Sequence, residues 1–234
     1  MSEELRLSRE YVCVLCEGRR GQTSPPGTSF GGNQGWFDAE GDGYISPLGC
    51  GLISCADILL YMTGRSRIEQ AEYLTFVRSL ASGALKVRRK LGLNGISMAL
   101  GMRKLFKELG MPYKASWCFS KRKLLPRIEE MIRNDIPVCI AAGPCIASKK
   151  TRGSYGVNFY TRDKEGSFVL PGWRSGQVKD HYVTVTAVVY TESDTMLEIS
   201  SWGEKYYISW AEYTGYISLI RSFFSNILLI REKG

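Results

Sequence analysis

Histidine is nearly absent from this chain: 234 residues include one, His181. A hydrolase that holds zinc with several imidazoles is therefore excluded. Any general-base step that uses a histidine must use this one. Long apolar runs are missing too. None reaches the roughly 18 to 20 residues of a membrane helix. The start, Met1-Ser2-Glu3-Glu4-Leu5-Arg6, is charged and lacks the apolar core of a signal peptide. The expectation is a soluble, cytoplasmic protein with no membrane partner. There is no internal repeat, no low-complexity tract beyond residues 18 to 35, and no second C-x-x-C to complete a zinc site with Cys13-Val14-Leu15-Cys16. Asp38, Glu40 and Asp42 lack the spacing and final Glu of a calcium loop. No metal or organic cofactor is implied.

The seven cysteines are odd in number and scattered, and Cys55 and Cys139 sit in apolar contexts. That fits reduced thiols better than a disulfide framework. The net charge is +8, with basic clusters at Lys86-Val87-Arg88-Arg89-Lys90, Lys121-Arg122-Lys123 and Lys149-Lys150-Thr151-Arg152. An acidic partner stays open. Nucleic acid is disfavoured, because no nucleic-acid module accompanies the clusters and solvated faces explain them.

Residues 1–29 read as an N-terminal arm and loop, with Gly, Ser and Pro concentrated from residue 18 (Ser24-Pro25-Pro26-Gly27). Helical signals follow. Ser66-Arg67-Ile68-Glu69 matches a capping box ahead of Leu74, Val77 and Leu80. Asn94 can cap a second helix that Gly110 ends, and a third begins around Pro126. From Pro137 the character changes to strands: 138–142, 181–190, 196–202, 205–210 and 226–231, rich in Val, Ile, Thr and Tyr. Helices first and strands later predict an α+β fold. The reading is one domain over 30–234, with a helical lobe at about 30–136 and a β lobe at about 137–234 sharing a cleft.

Gly49-Cys50-Gly51 opens an apolar helical stretch through Tyr61. A thiol at a helix start has its thiolate favoured by the dipole and by N–H groups without helical partners. The flanking glycines keep it accessible, whereas Cys55, inside the stretch, reads as core. His181 follows 131 residues later (181 − 50) and heads the run His181-Tyr182-Val183-Thr184-Val185-Thr186. An imidazole at a strand's entry can take the thiol proton. Gln34, in Phe30-Gly31-Gly32-Asn33-Gln34-Gly35-Trp36-Phe37, offers an amide donor to an oxyanion. Ile199-Ser200-Ser201-Trp202-Gly203 ends a strand with an aromatic that could cover a dyad.

Gln34, Cys50, His181 and Ser201-Trp202-Gly203 come in an order that resembles the papain-like cysteine peptidases. The Gly-Cys-Gly turn and the His-Tyr-Val-Thr-Val-Thr strand look still more like bacterial proteins related to the bacteriocin-leader-processing peptidases. The resemblance covers about residues 30 to 231. It implies a two-lobe papain-like fold, with the nucleophile helix in the helical lobe and an antiparallel sheet in the other. It implies Cys50 as nucleophile, His181 as base and Gln34 as oxyanion donor. Ser200 stands where the family has the Asn that orients the imidazole, and Trp202 covers the pair. Asp180 and Asp194 are the alternatives to Ser200.

The expected activity is hydrolysis of a peptide or isopeptide bond in a peptide or protein substrate. Acyl transfer to an amine would use the same parts. A non-catalytic protein- or peptide-binding module on the same fold is the rival of a different class.

Overall fold

A computed structural model describes residues 3–16, 27–37, 42–87, 92–143, 146–147, 154–171, 178–218 and 225–233. Asp38 and Glu40, Arg88 to Lys90, Cys145, Lys149 to Arg152 and the polar run 172–177 lie outside them.

The N-terminal half carries β1 (Glu3–Arg6), β2 (Cys13–Leu15), β3 (Thr28–Phe30), a 3-10 turn (Gln34–Trp36), α1 (Ile45–Leu48) and α2 (Cys50–Met62). It continues with β4 (Arg67–Glu69), α3 (Gln70–Ser82), α4 (Gly95–Glu108), β5 (Tyr113–Trp117) and α5 (Leu124–Arg133). The C-terminal half carries β6 (Val138–Ala142) and the short pieces β7 (Ile146–Ala147), β8 (Ser154–Tyr155), β9 (Thr161–Arg162) and β10 (Phe168–Val169). Then come β11 (His181–Tyr190), β12 (Thr195–Ser201), β13 (Glu204–Ser209), α6 (Trp210–Ser218) and β14 (Leu228–Glu232). The main sheet is antiparallel throughout, which makes the fold α+β.

β11 is the spine of that sheet. Its first half pairs with β6 and its second half with β1, while β12 and then β13 extend the other side. The strand is buried almost end to end, as its run of Val and Ala requires. The arm expected at the N-terminus is thus partly an edge strand, tied further by Arg6 to the buried Glu198 at 3.3 Å. β5 pairs with β14 across the expected boundary at 136, so strands are not confined to the second half. One cluster of buried apolar side chains runs from Leu7 to Ile230 and draws on both halves.

α2 is apolar all round and buried from Gly51 to Tyr61, so it lies in the interior rather than on a face. It packs on β11, which brings the start of the helix to the start of the strand. Asn94 caps α4 as expected, accepting from the Ser97 N–H at 2.9 Å, and Gly110 follows the helix end at φ 64°. The capping box at Ser66–Glu69 does not form. Residues 67–69 are β4 instead, parallel to β2, and α3 starts at Gln70. Tertiary burial of Ile68 against Val14 overrides the local capping pattern.

Among the described residues no helix is long and apolar enough to cross a membrane.

Candidate functional site

Cys50 is the first residue of α2, behind an N-cap glycine. It is partly exposed. The N–H groups of the first helical turn have no intrahelical partners, and those of Gly51 and Cys50 act on the thiol. The backbone N–H of Tyr182, next to His181, acts on it as well. These contacts favour the thiolate, but burial outweighs them and pushes the thiol above its ordinary value, with Asp180's charge adding to the rise. The net direction is upward, opposite to the effect of the helix start alone.

His181 lies buried at the entry of β11. Its Nε2 is 2.8 Å from the Ser201 hydroxyl. Trp202 stacks on the imidazole, centroids 4.4 Å apart and planes 13° from parallel. The Trp202 backbone is left-handed at φ 52°, followed by Gly203 at φ 76°. Two such residues between β12 and β13 make a type I′ hairpin turn. A bulky aromatic at positive φ is uncommon, and here that backbone presents the indole to the ring.

The serine on the imidazole is therefore Ser201, and the expectation for Ser200 is corrected. Ser200 donates instead to the Phe30 carbonyl at 2.8 Å. The reason is the pleat. Ser200 pairs with Thr184, so it shares the face of the even positions of β11, and its neighbour Ser201 takes the face of Val183 and His181. Residue 200 is also hemmed in: a Cβ on Gly31 would stand 2.2 Å from the Ser200 oxygen. Asp194 is excluded as an orienter, since its carboxylate accepts from Ser209, from the Thr195 N–H at 2.7 Å and from the Ala211 N–H at 3.3 Å, at the far end of β12.

Gln34 opens the 3-10 turn, and its Nε2 donates to the Ser46 carbonyl at 2.7 Å. An amide nitrogen has two hydrogens, so this bond holds the side chain while leaving a donor for a second acceptor. Part of the stretch between Gln34 and Cys50 is α1, which packs against that turn.

Gln34, Cys50, His181, Ser200, Ser201 and Trp202 all line one narrow cavity, with Asp57 below them. Its free space is about 10 Å³, room for about one water. Asp57 was missed at the sequence level. Its signal was there: a carboxylate within an otherwise apolar helix.

No group of three or more His, Cys, Asp or Glu that could hold a metal occurs among the described residues. Cys16 is buried and its thiol donates to the Val14 carbonyl at 3.4 Å, while Cys13 is partly exposed. Compared with known proteins, the chain matches no family model, no curated protein and no solved structure.

Proposed function

We propose that this chain is a cysteine hydrolase of papain-like, two-lobe architecture that cleaves a peptide or isopeptide bond. The observation that carries the reading is the shared cavity of Cys50 and His181, with the imidazole clamped between Ser201 and Trp202. With Nε2–H donating to Ser201, Nδ1 is the nitrogen that takes the thiol proton. The Cys50 thiolate then adds to the substrate carbonyl. The Gln34 amide and the N–H groups at the start of α2 receive the oxyanion. The imidazolium returns the proton to the leaving amine, and water hydrolyses the thioester. An amine in place of that water would make the protein an acyltransferase.

The rival reading, a non-catalytic peptide- or protein-binding module, is favoured by one observation: burial raises the Cys50 thiol. Peptide-mapped iodoacetamide kinetics separate the two. Cys50 should be the fastest-reacting thiol of the folded protein between pH 7 and 8, ahead of Cys13 and Cys118, which burial also raises. A Cys50 that stays unmodified while Cys13 reacts would favour the binding module.

The assignment of Ser201 has its own test. Ser201→Ala should slow acylation of Cys50 by a reactive ester about tenfold, equivalent to one imidazole hydrogen bond. Ser200→Ala should act mainly on stability, at about 1–3 kcal/mol, because the Phe30 carbonyl is left unsatisfied. Thermal melts and acylation rates of the two variants decide. A larger rate loss in Ser200→Ala would return the orienting role to Ser200.

A further inference from the structure

We infer that Asp57 is a positioning residue: its carboxylate ties the loop at residues 30–34 to the nucleophile helix, so that Gln34 faces Cys50. The inference rests on the cysteine-hydrolase reading and adds to it a residue that touches neither substrate nor thiol.

Asp57 is two turns along α2 from Cys50 and is 1% exposed. One carboxylate oxygen accepts from the Gly32 backbone N–H at 2.9 Å and from the Tyr11 hydroxyl at 3.4 Å. The other accepts from the Tyr73 hydroxyl at 2.7 Å. Gly31 and Gly32 make this approach possible. A Cβ on Gly31, at φ 75°, would stand 2.6 Å from the carboxylate, and one on Gly32 would stand 1.8 Å from the Tyr73 oxygen. Close contact requires glycine at both positions, and the left-handed backbone of Gly31 requires it there a second time.

Gln34 itself donates to the Ser46 carbonyl in α1, just ahead of Cys50, and the remaining ties of this loop run elsewhere. Phe30 N–H donates to the Gly203 carbonyl at 2.8 Å and Gly31 N–H to the Val12 carbonyl at 2.7 Å. The Asn33 amide donates to the Trp202 carbonyl at 2.8 Å, and Ser200 donates to the Phe30 carbonyl. Those through Trp202, Gly203 and Ser200 fix the loop to the strands beside His181. The Asp57 bond fixes it to the helix that begins with Cys50. An oxyanion donor must be registered to both, because the oxyanion forms on a carbon bonded to the Cys50 sulfur. A carboxylate is costly to bury, and this one is kept where it reaches the loop backbone.

The test compares two reagents on the full chain. Iodoacetamide alkylates a thiol without building an oxyanion. With 4-nitrophenyl acetate, the Cys50 thiolate adds to the carbonyl, an oxyanion forms, and 4-nitrophenolate leaves. The acetyl thioester is then hydrolysed to acetate and free thiol. Asp57→Ala should slow acetylation about tenfold or more, with alkylation changed by less than about twofold. Asp57→Asn keeps a carbonyl oxygen for Gly32 and should stay within about threefold of wild type on both. If Asp57→Ala does not fold, Tyr73→Phe, which loosens the carboxylate, should show the same split at about two- to threefold. Equal losses on both reagents, or none on either, would overturn the inference.

Hydrogen exchange at the Gly32 amide gives a readout independent of reactivity. It should quicken at least about tenfold in a folded Asp57→Ala, since an anchoring bond is lost. A wild-type protein inert to both reagents would sink the hydrolase reading. Gly32 exchange would then decide the anchor, and unchanged exchange in the variant would sink that too.

Discussion

His181→Ala is expected to slow acetylation of Cys50 by 4-nitrophenyl acetate about 10²- to 10⁴-fold near neutral pH, the usual contribution of a positioned general base. The size follows from the environment of the thiol. Burial raises Cys50 above its ordinary value of 9.0, and the N–H groups around it reverse only part of that rise. A thiol raised in this way attacks slowly near neutral pH unless a partner takes its proton. Among the described side chains lining the cavity, His181 is suited to do so. Without it, only the small ionised fraction reacts. Alkylation in the variant should then climb about tenfold per pH unit and level off only above pH 9, as a lone thiol does. The ring packs against Trp202 and Phe159, so His181→Ala also leaves a void. His181→Gln, with circular dichroism as the check on folding, controls for that. Equal rates in wild type and both variants from pH 6 to 8 would leave no place for a Cys–His pair.

The elements that carry this proposed pair were the most legible part of the sequence. β11 spans His181–Tyr190, the run read from its Val and Thr alternation, and α2 begins at Cys50. Both are long, strongly patterned segments whose burial agrees with their local preference. What was misread depended on partners distant in sequence. Ser66–Glu69 resembles a capping box, yet Ile68 is drawn into a strand beside Val14. β1 looks like a charged arm until β11 supplies its pairing. The Ser200–Ser201 choice turned on a single pleat, which the linear pattern of two adjacent serines cannot express. Gly31-Gly32 is loop as read, but composition does not show that Asp57 and Tyr73 press on it from α2 and α3.

The same buried carboxylate should leave a mark on stability. Desolvation pushes the Asp57 carboxyl from 3.8 up to about 6, against the opposing effect of the bonds from Gly32, Tyr73 and Tyr11. The groups facing it are the two phenols, both held well above their ordinary range and so neutral here, and the Gly32 amide. Because the folded value is the higher one, the native state binds more protons between the two values. The contribution of Asp57 is fully present below pH 4 and is lost as pH rises through 6. The span corresponds to about 3 kcal/mol at 1.36 kcal/mol per pH unit. Glu4 and Asp135 are lowered and act in the opposite sense, gaining stability with pH. The raw profile therefore mixes signs, and the quantity to measure is a difference. Urea unfolding of wild type and Asp57→Asn between pH 4 and 8 should show wild type losing about 3 kcal/mol relative to the variant. Most of that loss should fall between pH 4 and 7. The amide cannot ionise, so its own profile lacks this component. A difference that stays flat across the range would mean that Asp57 ionises at its ordinary value. The bonds from Gly32, Tyr73 and Tyr11 would then offset the desolvation in full, and the stability profile would carry no mark of Asp57.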